Sequence, residues 1–184
     1  MERAGHLAKA VGGGRRYAGH TWAGCARQQS RQNPPLRQRR KRGAEAQAIG
    51  VTKGGRNSKI HAIVDEKCRP WAFVLTPGNT ADCVVAETCV SLVSGIAALA
   101  ADKAYDTDAF RALLKDDGIK AIIPSKSNRK KPIPHDKEAY KGRNVVERCF
   151  CRLKDWRRIA TRYDKLAQNF LSALCFVAML AYWT

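Results

Sequence analysis

Residues 140–154 read YKGRNVVERCFCRLK, with Tyr140, Arg143, Glu147 and Lys154 at the spacing Y-x2-R-x3-E-x6-K. At 3.6 residues per turn each step rotates a side chain by about 100°, so one helix would bring all four within roughly 60° of arc. One acid is then flanked by two cations and a phenol on a single stripe. An acid held among cations suits a ligand charged in both senses, such as a metal ion together with phosphate oxygens. Arg143 and Glu147 alone would say little, because an i,i+4 ion pair is common on helix surfaces.

The neighbouring segments read as alternating strands and helices. Lys137 to about Arg158 is expected as the helix that carries the stripe, and Leu166 to Trp183 as a final apolar helix. The apolar part of that last helix, FLSALCFVAMLAYW, falls short of the roughly 20 residues a membrane span needs, so it reads as a core helix. KIHAIVD (59–65) alternates and is rich in β-branched residues, and WAFVLT (71–76) is its partner across the turn EKCRP. Thr80 or Asp82 is expected to cap a helix running to about Val93. AALAAD (97–102) reads as a buried strand ending on Asp102. DTDAFRALLKDDG (106–118) reads as a helix with Asp106 as a capping acid and Gly118 as its stop. IKAIIPS (119–125) is a further strand, and SNRKKPIPHDK (127–137) a basic, proline-punctuated loop.

The 184 residues carry 34 Lys and Arg against 16 Asp and Glu, a net charge of +18. That excess points to nucleic acid or another polyanion rather than a neutral small molecule. Seven cysteines, an odd number without C-x-x-C, fit free thiols in a reducing cytosol, and Met1 to Gly14 lacks the apolar run of a secretory signal. Cys149 and Cys151 would lie about 200° apart on a helix, too far to share one metal. The histidines show no zinc spacing, GVTKGG (50–55) lacks a phosphate-loop frame, and no G-x-S-x-G elbow occurs. Trp71, Tyr105, Tyr140, Trp156 and Tyr163 are scattered and read as core or helix-face residues, which disfavours a single-stranded RNA reader.

The composition breaks near Gly43. Residues 1–43 hold eleven Lys or Arg against one acid, Glu2, and contain no Ile, Phe or Asp. Such a stretch cannot bury enough apolar surface to offset its chain entropy, so disorder is expected there. Its RQRRKRG cluster is suited to a phosphate backbone.

YKGRNVVERCFCRLK resembles the Y-x2-R-x3-E-x6-K signature of bacterial insertion-sequence transposases of the DDE class. The likeness continues in GGRNSKIHAIVDEKCRPWAFVLTPGNTAD, LAADKAYD and IIPSKSNRKKPIPHD, and covers about residues 44–184. The resemblance implies an α/β fold of the RNase H-like kind, a mixed sheet flanked by helices in which sheet carboxylates stand beside a helix carboxylate. It also implies metal-dependent DNA strand cleavage and transfer at insertion-sequence ends. Asp102 matches the second catalytic Asp and Glu147 the catalytic Glu, both as ligands of Mg²⁺ or Mn²⁺, with two ions about 4 Å apart in a complete site. Tyr140, Arg143 and Lys154 match residues that hold DNA phosphates. Lys126, Arg129, Lys130 and Lys131 of the basic loop are expected to add DNA contacts. The implied partners are double-stranded DNA (transposon ends and target) and a homo-oligomer or full-length transposase. The implied location is the nucleoid of a bacterial cytoplasm, with no membrane.

The family's first catalytic Asp, from a D-S-T-type segment on the first strand, has no match. Its window is GHTWAGCARQQSRQNPPLRQRRKRG (19–43), no Asp precedes Asp65, and Glu45 is the one acid between Glu2 and Asp65. Asp65 and Glu45 are weak substitutes. Residues 1–43 are therefore expected as an off-frame or rearranged leader, and 44–184 as an incomplete domain missing its first strand, with an unpaired central position in its sheet. Such a chain is expected to be inactive alone. The alternative is a non-catalytic DNA-binding protein or regulator derived from a transposase. Translation of the other two reading frames upstream of codon 44 checks the off-frame expectation: one of them should encode a D-S-T-like strand, and its absence from both rejects it.

Overall fold

KIHAIVD lies within a strand whose residues from Asn57 to Asp65 are all buried, so side chains of both parities need cover. A strand buried on both faces must sit inside a layered fold, with helices above and below the sheet. The computed structural model describes residues 7–10, 20–29, 47–53 and 55–183, and has this architecture. Its strands are β1 (Leu7–Ala10), β2 (His20–Gln29), β3 (Gly50–Thr52), β4 (Gly55–Asp65), β5 (Pro70–Pro77), β6 (Ala98–Ala101) and β7 (Lys120–Ile122). They form one sheet in the order β1-β5-β4-β2-β6-β7, with β3 added to β4. β4 is antiparallel to β5, β3 and β2, whereas β6 is parallel to both β2 and β7, so the sheet is mixed.

The helices are α1 (Asp82–Ser91), α2 (Asp108–Asp116), α3 (Lys137–Lys141), α4 (Asn144–Lys154), α5 (Arg157–Ala160) and α6 (Ala167–Tyr182). Ile60, Ala62, Val64, Ala98 and Ala100 face a core built by Val146, Cys149 and Leu153 of α4 and by Phe170, Leu174 and Ala178 of α6. Ile63, Val74, Leu99 and Ala101 face the other core, with Val85 and Val90 of α1 and Phe110 and Leu114 of α2. The apolar α6 is thus a core helix, and among the described residues no helix is long and apolar enough to cross a membrane. Cys149 is buried and Cys151 exposed, on opposite sides of α4 as their spacing requires. This is the α/β arrangement of a mixed sheet flanked by helices.

Three expectations need correction. The central position expected to lack a strand is filled: β2, from residues 20–29, pairs with β4 on one side and β6 on the other, and β1 also falls within the segment expected to be disordered. Apolar burial is a poor guide there, because a strand between two others is held by backbone hydrogen bonds that any residue but proline can make. The RQRRKRG cluster and Glu45 lie outside the described residues. Second, neither Thr80 nor Asp82 caps α1. Ala81 occupies the cap without a side-chain bond, because the Asp82 carboxylate accepts from Lys59 Nζ at 2.8 Å and the Thr80 carbonyl from the same amine at 2.6 Å. Third, the long helix expected over 137–158 is three helices. Arg143, Val145 and Val146 donate to carbonyls three residues back rather than four, at 3.0, 3.2 and 3.1 Å, and this tight joint at Gly142 separates α3 from α4.

Asp65 closes the β4–β5 hairpin. Its fully buried carboxylate accepts from the Lys67 and Arg69 amides at 3.0 and 2.8 Å, from Arg69 Nε at 2.8 Å and from the Trp71 indole at 3.2 Å. With its lone pairs so committed, Asp65 is a turn clamp and no metal ligand. At the far end, buried Arg162 donates to the Gln47 carbonyl at 2.6 Å and to Ser58 Oγ, pinning the chain just ahead of β3. Replacing Asp65 with Asn should lower stability by about 3 kcal/mol, since a buried charge partner is removed from Arg69; thermal or urea unfolding that matches wild type would show the clamp is dispensable.

Candidate active site and DNA interface

β6 is a short apolar strand, ALAA, and the chain leaves it at Asp102, where the next turn begins. The Asp102 carboxylate accepts from the Lys103 amide at 2.7 Å and stays partly open to solvent. By strand alternation Asp102 follows Ala98 and Ala100 toward the face covered by α4. Glu147 stands in the first turn of α4, exposed, with its Oε1 at 2.9 Å from the Arg143 guanidinium. Arg143 also lies over the Tyr140 ring, 5.9 Å from its centroid. Tyr140 packs edge-on against His135 at 5.5 Å.

Burial pushes the Tyr140 phenol above the ordinary tyrosine value, Arg143 opposes this, and the charges of Asp102 and Glu147 both push it further up. The tight joint at Gly142 breaks the helix without dispersing Tyr140, Arg143 and Glu147. Lys154 sits at the end of α4, exposed.

The register of β2 brings one of its residues level with Asp102. Ala23 pairs with Ala101 on the parallel strand β6, so Gly24 comes level with Asp102. Gly24 also pairs with Ala62, whose side chain faces α4. Position 24 is thus on the α4 side, beside Asp102, and carries no side chain. Among the described residues no three His, Cys, Asp or Glu side chains gather where they could hold a metal ion.

The basic loop is organised by a carboxylate whose role its position in the sequence concealed. Thr107, not Asp106, caps α2, its hydroxyl accepting from the Phe110 amide. Asp106 is buried and accepts from Arg111 Nε at 2.6 Å, from the Lys126 amide at 2.8 Å and from Arg129 Nε at 2.9 Å. Arg129 also reaches Asp108 at 2.6 Å. Its charge is thereby spent inside the protein, so Arg129 anchors the loop. Lys126, Lys130 and Lys131, with Asn128, line a surface hollow of about 500 Å³ above this anchor. Acid residues within reach of distant arginines are the signal that spacing alone does not reveal. Burial pushes the Asp106 carboxyl up, but the Lys126 amide and the two arginines outweigh it and hold its pKa at about 2. A carboxyl held below its unfolded value stabilises the fold above that value, and the contribution is lost as pH falls from about 4 through about 2. Asp106→Asn should accordingly melt earlier at neutral pH and lose part of the acid-limb dependence; an unchanged limb between pH 4 and pH 2 would assign that dependence to other groups.

The family model described as "Transposase DDE domain" matches residues 32–183. A Brucella ovis protein named as a transposase for insertion sequence element IS6501 is 36% identical over 116 residues, covering 62% of this chain and 88% of that protein. A Burkholderia cepacia protein named for insertion sequence element IS402 is 29% identical over 121 residues, 60% of this chain and 55% of its own length. A solved piggyBac transposase synaptic complex with hairpin DNA aligns with a TM-score of 0.44 and 12% identity, over 65% of this chain and 25% of that one. A match spanning most of the sequence means that the chain belongs to the transposase DDE domain family.

Proposed function

We propose that this chain takes part in DNA transposition as a DNA-binding domain whose strand-cleaving centre is incomplete. The reading is supported by the family match over residues 32–183 and by the Arg143–Glu147 pair at 2.9 Å beside the Tyr140 ring. Members of the family generally use divalent metal ions, and the complete reaction is metal-dependent strand cleavage and transfer at insertion-sequence ends. In this chain Asp102 and Glu147 would supply carboxylate oxygens to such an ion. Arg143 and Lys154 would neutralise phosphates beside it, Arg143 by a forked contact and Lys154 as a point charge. Lys126, Lys130 and Lys131 would continue the phosphate track along the loop that Asp106 and Arg129 hold.

Gly24 favours the incomplete form of this reading. A third carboxylate beside Asp102 would balance the charge of closely spaced cations; a glycine there supplies nothing. The same observation supports a second reading, in which the chain has no catalytic role and modulates transposition by a complete relative through its shared DNA specificity.

Incubation of the full chain with labelled duplex insertion-sequence ends and Mg²⁺ tests both parts. The expected result is binding that weakens steeply with salt and no nicking above background. Lys130→Ala with Lys131→Ala should flatten the salt dependence by about two phosphate contacts. Nicking that disappears in Glu147→Gln would overturn the incompleteness, and salt-insensitive or absent binding would overturn the DNA reading.

A further inference from the structure

Aromatic side chains expected in the core or on helix faces divide sharply in the structure. Trp71 and Tyr105 are buried, but Trp156 is 45% exposed and Tyr163 52% exposed. Trp156 occupies the bend between α4 and α5, and its backbone is fixed. Its amide donates to the Leu153 carbonyl at 3.4 Å, and its own carbonyl accepts from the Ile159 and Ala160 amides at 2.8 and 2.9 Å. Leu153 and Ile159 on either side are buried anchors. The indole is therefore held out from a rigid turn.

The ground around it is cationic. Arg152, Lys154, Arg157 and Arg158 are all exposed. Arg152 lies over the Tyr182 ring at 4.7 Å, and Arg158 pairs with Asp164 at 2.8 Å, which ties α5 to the segment bearing Tyr163. Among the described residues Lys154 and Arg157 enter no ion pair. Exposed aromatic faces among unpaired cations suit a strand with phosphates on one side and base faces on the other.

We infer that Trp156 is a stacking platform for an unpaired nucleobase, placed next to Lys154 at the end of the helix that bears Glu147. The inference rests on the DNA reading above and goes beyond it: it assigns a ligand chemistry, an unstacked base, to a residue outside the Y-x2-R-x3-E-x6-K set. Inside a duplex both faces of a base are covered by its neighbours, so only a single-stranded or flipped nucleotide can use the indole.

Binding of the full chain to a blunt duplex and to the same duplex carrying a short single-stranded overhang, measured by fluorescence anisotropy across a salt series, tests it. Wild type should prefer the overhang. Trp156→Ala should lose roughly five- to hundred-fold on the overhang and little on the blunt duplex, because stacking one base on an aromatic side chain is lost. Trp156→Phe should restore most of the preference, and the salt slope should not change in either variant, since no charge is removed. Trp156→Ala that binds the overhang as wild type does, or that weakens on both ligands alike, overturns the inference while leaving the DNA reading intact. Wild type that binds neither ligand overturns both. Equal melting temperatures for the three proteins establish that the exposed substitution has not altered the fold.

Discussion

Strand β6 delivers Asp102, and it reaches the larger half of the sheet through β2, which pairs with β6 in parallel and with β4 antiparallel. Remove β2 and the backbone amides and carbonyls of β4 and β6 that now face it would be stranded between two helical layers, where each unpaired group is costly. The match to the transposase family begins at residue 32, so the strand in this central position comes from sequence outside the matched region. Backbone pairing makes few demands on side chains. A strand can therefore occupy the slot and hold Asp102 in register whatever side chains it carries.

The acids of this strongly basic chain fall into two groups. Asp65 and Asp106 are buried, and each is saturated by arginine and backbone amides, one closing a hairpin and the other gripping the basic loop. Asp102 and Glu147 remain accessible, with one amide and one arginine as their respective partners. Burial decides the division: a desolvated carboxylate must have all its partners inside the protein, while an exposed one keeps oxygens free for a ligand. The cations divide the same way. Arg111 and Arg129 serve Asp106, whereas Lys126, Lys130 and Lys131 line the open hollow above them.

Much of this was legible in the amino-acid order. KIHAIVD and WAFVLT announce the hairpin, ALAA the strand that ends on Asp102, and the Y-x2-R-x3-E-x6-K spacing the stripe that Tyr140, Arg143 and Glu147 still form across a broken helix. The break itself turns on the tighter hydrogen bonds around Gly142, a local choice between two helical geometries that periodicity does not resolve. Asp106 was misread because its partners, Arg111 and Arg129, are set by tertiary approach and not by neighbouring positions. β2 was missed because a strand fixed by its neighbours needs no apolar run of its own. Trp156 was read only as a core or helix-face residue because its exposure depends on where α4 ends, a boundary that side-chain composition marks poorly.

If β2 stands in the register seen here, position 24 is the place from which a third carboxylate would join Asp102 and Glu147. Calorimetric titration of Mn²⁺ into the wild-type chain, Gly24→Asp and Gly24→Ser decides this. Gly24→Asp should bind Mn²⁺ more tightly than wild type, Gly24→Ser should not, and Glu147→Gln in the Gly24→Asp background should abolish the gain. Equal affinity in all of them would mean that position 24 does not face the two acids, and that the sheet is not paired as described.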